Sequence, residues 1–153
     1  MTEITFNEEL ILKINGKKKD VEVLAYMAEY LKAKGLVKGS YSKAITDREA
    51  EFPTGLLTGN INIAIPHADT EHVEKAAICV GVLDEPVIFR AMDDPDKEIE
   101  IRLIIMLALK EAHGHIEMLQ KVVELIKDQE ALNKIIKSSD LKVIYQIISE
   151  KLL

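Results

Sequence analysis

The chain has a single cysteine, Cys79, among its 153 residues, which excludes an intrachain disulfide. Cys79 lies in the apolar run Ala76-Ala77-Ile78-Cys79-Val80 and is expected to be a small buried residue rather than a reactive thiol. Long hydrophobic runs are also missing. The longest, Leu103 to Leu109, is far too short to cross a bilayer. The start Met1-Thr2-Glu3-Ile4 lacks the basic and apolar regions of a secretory leader, so a cytoplasmic protein with no membrane insertion is expected. Internal repeats, low-complexity tracts and linkers are absent, and one domain over residues 1–153 is expected. Positive charge is in deficit. With 20 basic against 26 acidic side chains the net charge is -6, which argues against binding nucleic acid through its phosphates. It fits a partner that presents positive charge.

The familiar chemical signatures are missing as well. There is no His-Glu-x-x-His pair, no thiolate cluster, no Gly-x-Ser-x-Gly elbow and no Walker phosphate loop. A zinc reading survives only as His113-x-His115 joined by Asp69 or His67. No metal or cofactor is expected.

What is present is a core and a periodicity. A chain 48% hydrophobic and 30% charged can build a sizeable interior and a solvated surface. Leu10 to Ile14, closed by Asn15-Gly16, reads as a strand. Asp20 is the expected cap of a helix from Val21 to about Ala33, with Val23, Leu24, Met27, Ala28 and Leu31 on one face and Gly35 as its stop. Ser40 is the expected cap of a second helix, Tyr41 to about Glu51, closed by Pro53 and Gly55. Ile61 to Ile65, Ala76 to Leu83, Pro86 to Phe89 and Ile99 to Leu109 are strand candidates, separated by an exposed loop at Met92 to Lys97. The last strand turns wholly apolar, as a central strand covered on both faces does. Beyond Glu111 the pattern is helical. Ile116, Leu119, Val122, Val123 and Ile126 form one face, Leu132, Ile135 and Ile136 a second, and Asp140 caps a last helix through Leu152. Interspersed strands and helices predict one α/β domain, a mixed, mostly parallel sheet with helices on both faces.

Of four histidines, His67 stands out. It follows Pro66 at the carboxyl end of a strand, where open α/β sheets place their ligand crevices, and the proline restricts the backbone around it. His113 and His115 follow the strand Ile99 to Leu109. If the two strands run parallel, their ends open on one edge and a histidine from each shares a crevice. An imidazole there can be structural, a general base, a metal ligand or a covalent nucleophile. The covalent option is a phosphohistidine, which needs a neutral oriented nitrogen, donors for the phosphoryl oxygens and open access. Arg48 is a candidate bidentate donor, against the plainer reading of a helix charge paired with Glu49 or Asp47.

Asp47-Arg48-Glu49-Ala50-Glu51-Phe52-Pro53-Thr54-Gly55, then Ile63-Ala64-Ile65-Pro66-His67-Ala68, resembles the enzyme IIA domains of the fructose/mannitol class of the sugar phosphotransferase system. Leu107-Ala108-Leu109 and His113-Gly114-His115-Ile116-Glu117-Met118-Leu119 are similar too, and the likeness covers roughly Val21 to Leu152. The Phe-Pro-Thr-Gly segment looks most like the galactitol-type branch. The resemblance implies a phosphotransferase component that feeds sugar uptake. In it His67 accepts phosphate from the phosphocarrier protein HPr and passes it to the cysteine of enzyme IIB. It implies that His115, rather than His113, supports the phosphohistidine and that Arg48 lies beside the phosphate. Ala68-Asp69 departs from the Gly or Cys that often follows the active histidine and sets a carboxylate nearby. An apolar patch by His67, rimmed by Asp69 and Glu71, is expected to receive the partners. The alternative is a free-standing regulatory module that senses carrier phosphorylation.

Overall fold

A computed structural model describes residues 4–153. Met1–Glu3, part of the stretch read for a leader, lie outside them. Five strands form one sheet: β1 (Ile11–Ile14), β2 (Gly55–Leu56), β3 (Ile63–Ala64), β4 (Ala77–Arg90) and β5 (Glu98–Ala108), in the order β1-β4-β5-β3-β2. β1 with β4 and β3 with β5 are parallel, whereas β4 with β5 and β2 with β3 are antiparallel. The helices are α1 (Asp20–Ala33), α2 (Tyr41–Glu51), α3 (Ala112–Ile126), α4 (Gln129–Lys137) and α5 (Leu141–Leu152). α1 packs with α2, and α3, α4 and α5 pack with one another, so two helical groups cover the expected mixed α/β sheet.

The apolar faces explain these positions. Val23, Leu24, Met27, Ala28 and Leu31 of α1 are all buried, as their spacing predicts. In β5 burial alternates at first and then becomes continuous to Ala108, which marks the central strand. Cys79 is buried in β4, and burial pushes its thiol up to about 12. Gly35 takes a φ of 76°, the left-handed value that ends α1.

Several boundaries differ from the sequence expectation, each for a local reason. The strands expected at 76–83 and 86–89 are one strand, β4, with a register shift between Val82 and Val87. Pro86 has no N–H to give the ladder, so pairing skips there and resumes. The expected strand 61–65 shrinks to Ile63–Ala64, between an Asn62 whose side chain accepts from Thr58 N–H and Pro66, which has no donor. Leu10 ends a single 3-10 turn, Glu8–Leu10, rather than opening β1. Lys19, not Asp20, is the N-cap of α1, because Glu22 reaches back to accept from Lys19 N–H at 3.0 Å. Ser40 sits at the N-cap of α2, but its hydroxyl bonds His72 Nδ1 at 2.8 Å instead. On α3 the buried face is Met118, Val122 and Leu125, while Ile116 and Val123 are exposed. The helix is rotated so that Ile116 faces a cavity rather than the core, while Leu119 lines the cavity and also packs against the core.

Gly55 meets a hard limit of space. A Cβ there would lie 2.6 Å from the Arg90 carbonyl oxygen, a backbone atom that no rotamer change can move. Gly55→Ala should therefore cost about 2 kcal/mol or more, lowering the melting temperature by roughly 4–8 °C in a calorimetric scan. An unchanged melting point would mean that the β2–Arg90 approach is looser than described.

Candidate functional site

The parallel pairing of β3 with β5 brings the two sequence-distant histidines together. β5 continues alongside the segment past Pro66. Leu107 N–H donates to Pro66 O at 2.9 Å, and His67 makes a parallel bridge to Leu107. On the other side of Leu107 the Tyr41 hydroxyl donates to its carbonyl at 2.8 Å, tying α2 to the same strand end. α3 then starts at Ala112 and puts His115 in its first turn. The rings of His67 and His115 lie 4.8 Å apart between centroids, tilted by 33°.

The tautomer of His67 follows from its partner. Nδ1 is 2.9 Å from the Ile65 carbonyl oxygen, which can only accept, so Nδ1 carries the proton. In the neutral ring Nε2 then holds a free lone pair. Burial lowers the pKa of His67 and the Arg48 guanidinium lowers it further, against the opposing Ile65 carbonyl and Asp69. His115 is pushed down to about 4 by burial, then by His67 and Arg48, with Asp69 opposing. Both rings are thus neutral at neutral pH.

Arg48 reaches the same cavity, of about 350 Å³, which also takes in Asp69, Met92 and Leu119. Its guanidinium lies 5.3 Å from the centroid of the Phe52 ring. The plainer reading of Arg48 as a locally paired charge does not hold. Asp47 pairs with Lys43, and Glu49 is buried and accepts from Thr54. Two buried polar atoms at the cavity lack a hydrogen-bond partner among the described residues, Arg48 Nε and His115 Nε2. Orphaned groups of this kind carry a desolvation cost until something binds them. Phe52 and Ile116, both more than half exposed, supply apolar surface beside the opening.

The remaining candidates fall elsewhere. His113 is exposed and pairs with Glu117 at 3.2 Å, and His72 is held by Ser40. The zinc arrangement of His113, His115 and Asp69 or His67 is therefore not assembled, and no cluster suited to a metal ion occurs among the described residues. Sequence reasoning missed Tyr41 and Met92. A tyrosine opening a helix and a methionine in a loop carry no signal of their own. Glu49 was visible only as the neighbour of Arg48.

Titration of this cluster gives stability two opposing slopes. His115 has its folded pKa below the ordinary 6.5, so its unfolded form binds more protons and stability rises with pH from about 4 to 6.5. Glu49 is raised from 4.5 to about 7, chiefly by burial, with Asp20 adding and Thr54 and Arg48 opposing. Its folded form binds more protons, so that contribution falls as pH rises between those values. In denaturant melts from pH 4.5 to 6.5, Glu49→Gln should climb more steeply than wild type and His115→Gln should flatten or decline. Identical slopes in all three proteins would refute these assignments.

Comparison with known proteins gives a consistent picture. Residues 4–151 match the family described as "Phosphoenolpyruvate-dependent sugar phosphotransferase system, EIIA 2". The galactitol-specific EIIA component of Escherichia coli is 33% identical over 99 residues, covering 65% of this chain and 65% of that protein's length. The nitrogen regulatory protein of Bradyrhizobium diazoefficiens is 29% identical over 140 residues, covering 90% of this chain and 86% of the relative. Among solved structures, the complex of enzyme IIAMTL and phosphorylated enzyme IIBMTL from Escherichia coli contains a chain matching this fold with a TM-score of 0.80. The two are 21% identical over 97% of this chain and 99% of that one.

Proposed function

The chain belongs to the EIIA 2 family of the phosphoenolpyruvate-dependent sugar phosphotransferase system, and on that footing we propose that it carries a phosphoryl group on Nε2 of His67. The observation that carries this reading is one cavity holding a histidine with a free, outward nitrogen and two unpartnered polar atoms, Arg48 Nε and His115 Nε2. That is a nucleophile beside two desolvated groups suited to phosphoryl oxygens.

The chemistry follows from the geometry. The Nε2 lone pair attacks the phosphorus of phosphohistidine on HPr. The donor's P–N bond breaks, and its electron pair returns to the donor imidazole. The His67 ring becomes cationic, and its Nδ1–H bond to Ile65 O strengthens as charge develops. Arg48 and His115, the latter as its neutral Nε2–H tautomer, donate to the phosphoryl oxygens. In the second transfer a cysteine thiolate of enzyme IIB attacks the same phosphorus. The N–P bond breaks and its electrons return to Nε2. No metal or cofactor enters either step. The solved complex of a related fold with phosphorylated enzyme IIB supports that class of partner. The galactitol relative supports that type of sugar system as the first to test. We place the protein in the cytoplasm, where its partners meet it; among the described residues no helix is long and apolar enough to cross a membrane.

A regulatory role is the second reading, favoured by the likeness to a nitrogen regulatory protein over most of the chain. It uses the same phosphorylated histidine and differs in having no sugar-linked acceptor. The test is intact mass after incubation with phosphoenolpyruvate, enzyme I and HPr, followed by addition of a galactitol-type enzyme IIB. Gain of one acid-labile phosphoryl group, lost to IIB, supports the transport reading. Gain without onward transfer supports the regulatory one. No gain while HPr itself is phosphorylated overturns both.

A further inference from the structure

Glu49 is the only acidic side chain buried among the described residues, at 5% exposure. A buried carboxylate is costly unless donors satisfy it. Here two do, both from one residue. Thr54 N–H donates to Oε2 at 2.7 Å and the Thr54 hydroxyl donates to Oε1 at 2.8 Å. An ionised carboxylate accepts at both oxygens, whereas a carboxamide would offer one acceptor and one donor group. The fork is complete only in the ionised form, so it suits glutamate above its raised pKa of about 7.

What Thr54 does next gives the fork its use. The Thr54 carbonyl accepts from Ile65 N–H at 3.3 Å, and the Ile65 carbonyl accepts from His67 Nδ1–H at 2.9 Å. A hydrogen-bonded relay thus runs from Glu49 through Thr54 and Ile65 to the His67 ring. Its last link is the bond that sets the tautomer. Its first residue adjoins Arg48 on α2, so one side chain fixes the helix end bearing the arginine against the strand that leads to the histidine.

We infer that Glu49 is a positioning residue of the site, acting through Thr54 and the Ile65 peptide to hold the His67 ring with Nδ1 protonated and Nε2 presented to the cavity. This rests on the carrier reading for its consequence in phosphoryl transfer, but the positioning itself does not. The test compares wild type, Glu49→Gln and Thr54→Val. The His67 tautomer is read by ring 15N NMR of the unphosphorylated protein, and kcat and KM for phospho-HPr are read by transfer kinetics. Wild type should show one tautomer, with Nδ1 protonated. Both variants should show a mixture, with kcat lower by about tenfold and KM within about twofold. If Glu49→Gln does not fold, Thr54→Val, close in shape to the native residue, decides alone. An unchanged tautomer in the folded variants overturns the inference, whatever the rates do, because a merely structural role would lower stability without moving the ring proton. If wild type takes no phosphoryl group while the variants still lose the single tautomer, the positioning stands and the carrier reading falls.

Discussion

Replacing His67 with alanine is expected to abolish phosphoryl uptake, leaving the intact mass unchanged after incubation with phosphoenolpyruvate, enzyme I and HPr. The loss should be complete because no other imidazole can stand in. His72 is bonded to Ser40, His113 pairs with Glu117 away from the cavity, and the cavity-side Nε2 of His115, as the protonated nitrogen of that ring, has no lone pair to offer. The fold should survive. His67 is half-buried and contributes one side-chain hydrogen bond, worth about 1 kcal/mol, so the melting curve should move little. A phosphoryl group that persists on the His67→Ala protein would move the acceptor to another histidine and sink the assignment.

Arg48→Ala should slow single-turnover transfer from phospho-HPr by about 10²–10³-fold, the usual cost of losing one preorganised donor to developing charge. Two features make this arginine more than a nearby cation. Its Nε is buried without a partner, so the donor is already desolvated and pays nothing to leave water during the reaction. The Phe52 ring also backs the guanidinium plane, restricting where it can point. Arg48→Lys should recover only part of the rate, because an ammonium is a point charge without the planar fork. A kcat for Arg48→Ala within about threefold of wild type would show that the phosphoryl oxygens are held by other groups.

Much of this site was legible in the residues, for physical reasons that can be named. His67 announced itself because Pro66 ends a strand and constrains the next residue. The preference for His115 over His113 comes from the family resemblance; in the structure His115 lies beside His67 while His113 pairs outward with Glu117. The strand Ile99 to Leu109 was readable because its apolar run outlasts its alternation. What could not be read was tertiary. Pro86 looks like a break until β5 is present to carry pairing across it. Ile116 belongs to the hydrophobic stripe of α3 by spacing alone, yet the face that α3 buries is Met118, Val122 and Leu125. Glu22 outcompetes Asp20 in capping α1 because its longer side chain reaches back to the Lys19 amide. Glu49 reads only as a partner for Arg48 and as part of the family stretch; its burial and its bonds to Thr54 are tertiary.

The two-residue length of β3 has a consequence for how the molecule breathes. β4 and β5 are zipped along most of their length at the middle of the sheet, so their amides should be the slowest to exchange with solvent. The two-residue pairing of β2 with β3 is backed by a few bonds, including the 3.3 Å one from Ile65 to Thr54, and should open at lower free energy than β4 and β5. His67 hangs from that rim, while Leu107 beside it belongs to the most protected strand. His67, the proposed acceptor, is thus mounted on the less protected side of a rigid wall. It can lose its geometry through local fraying at temperatures where the rest of the protein remains folded.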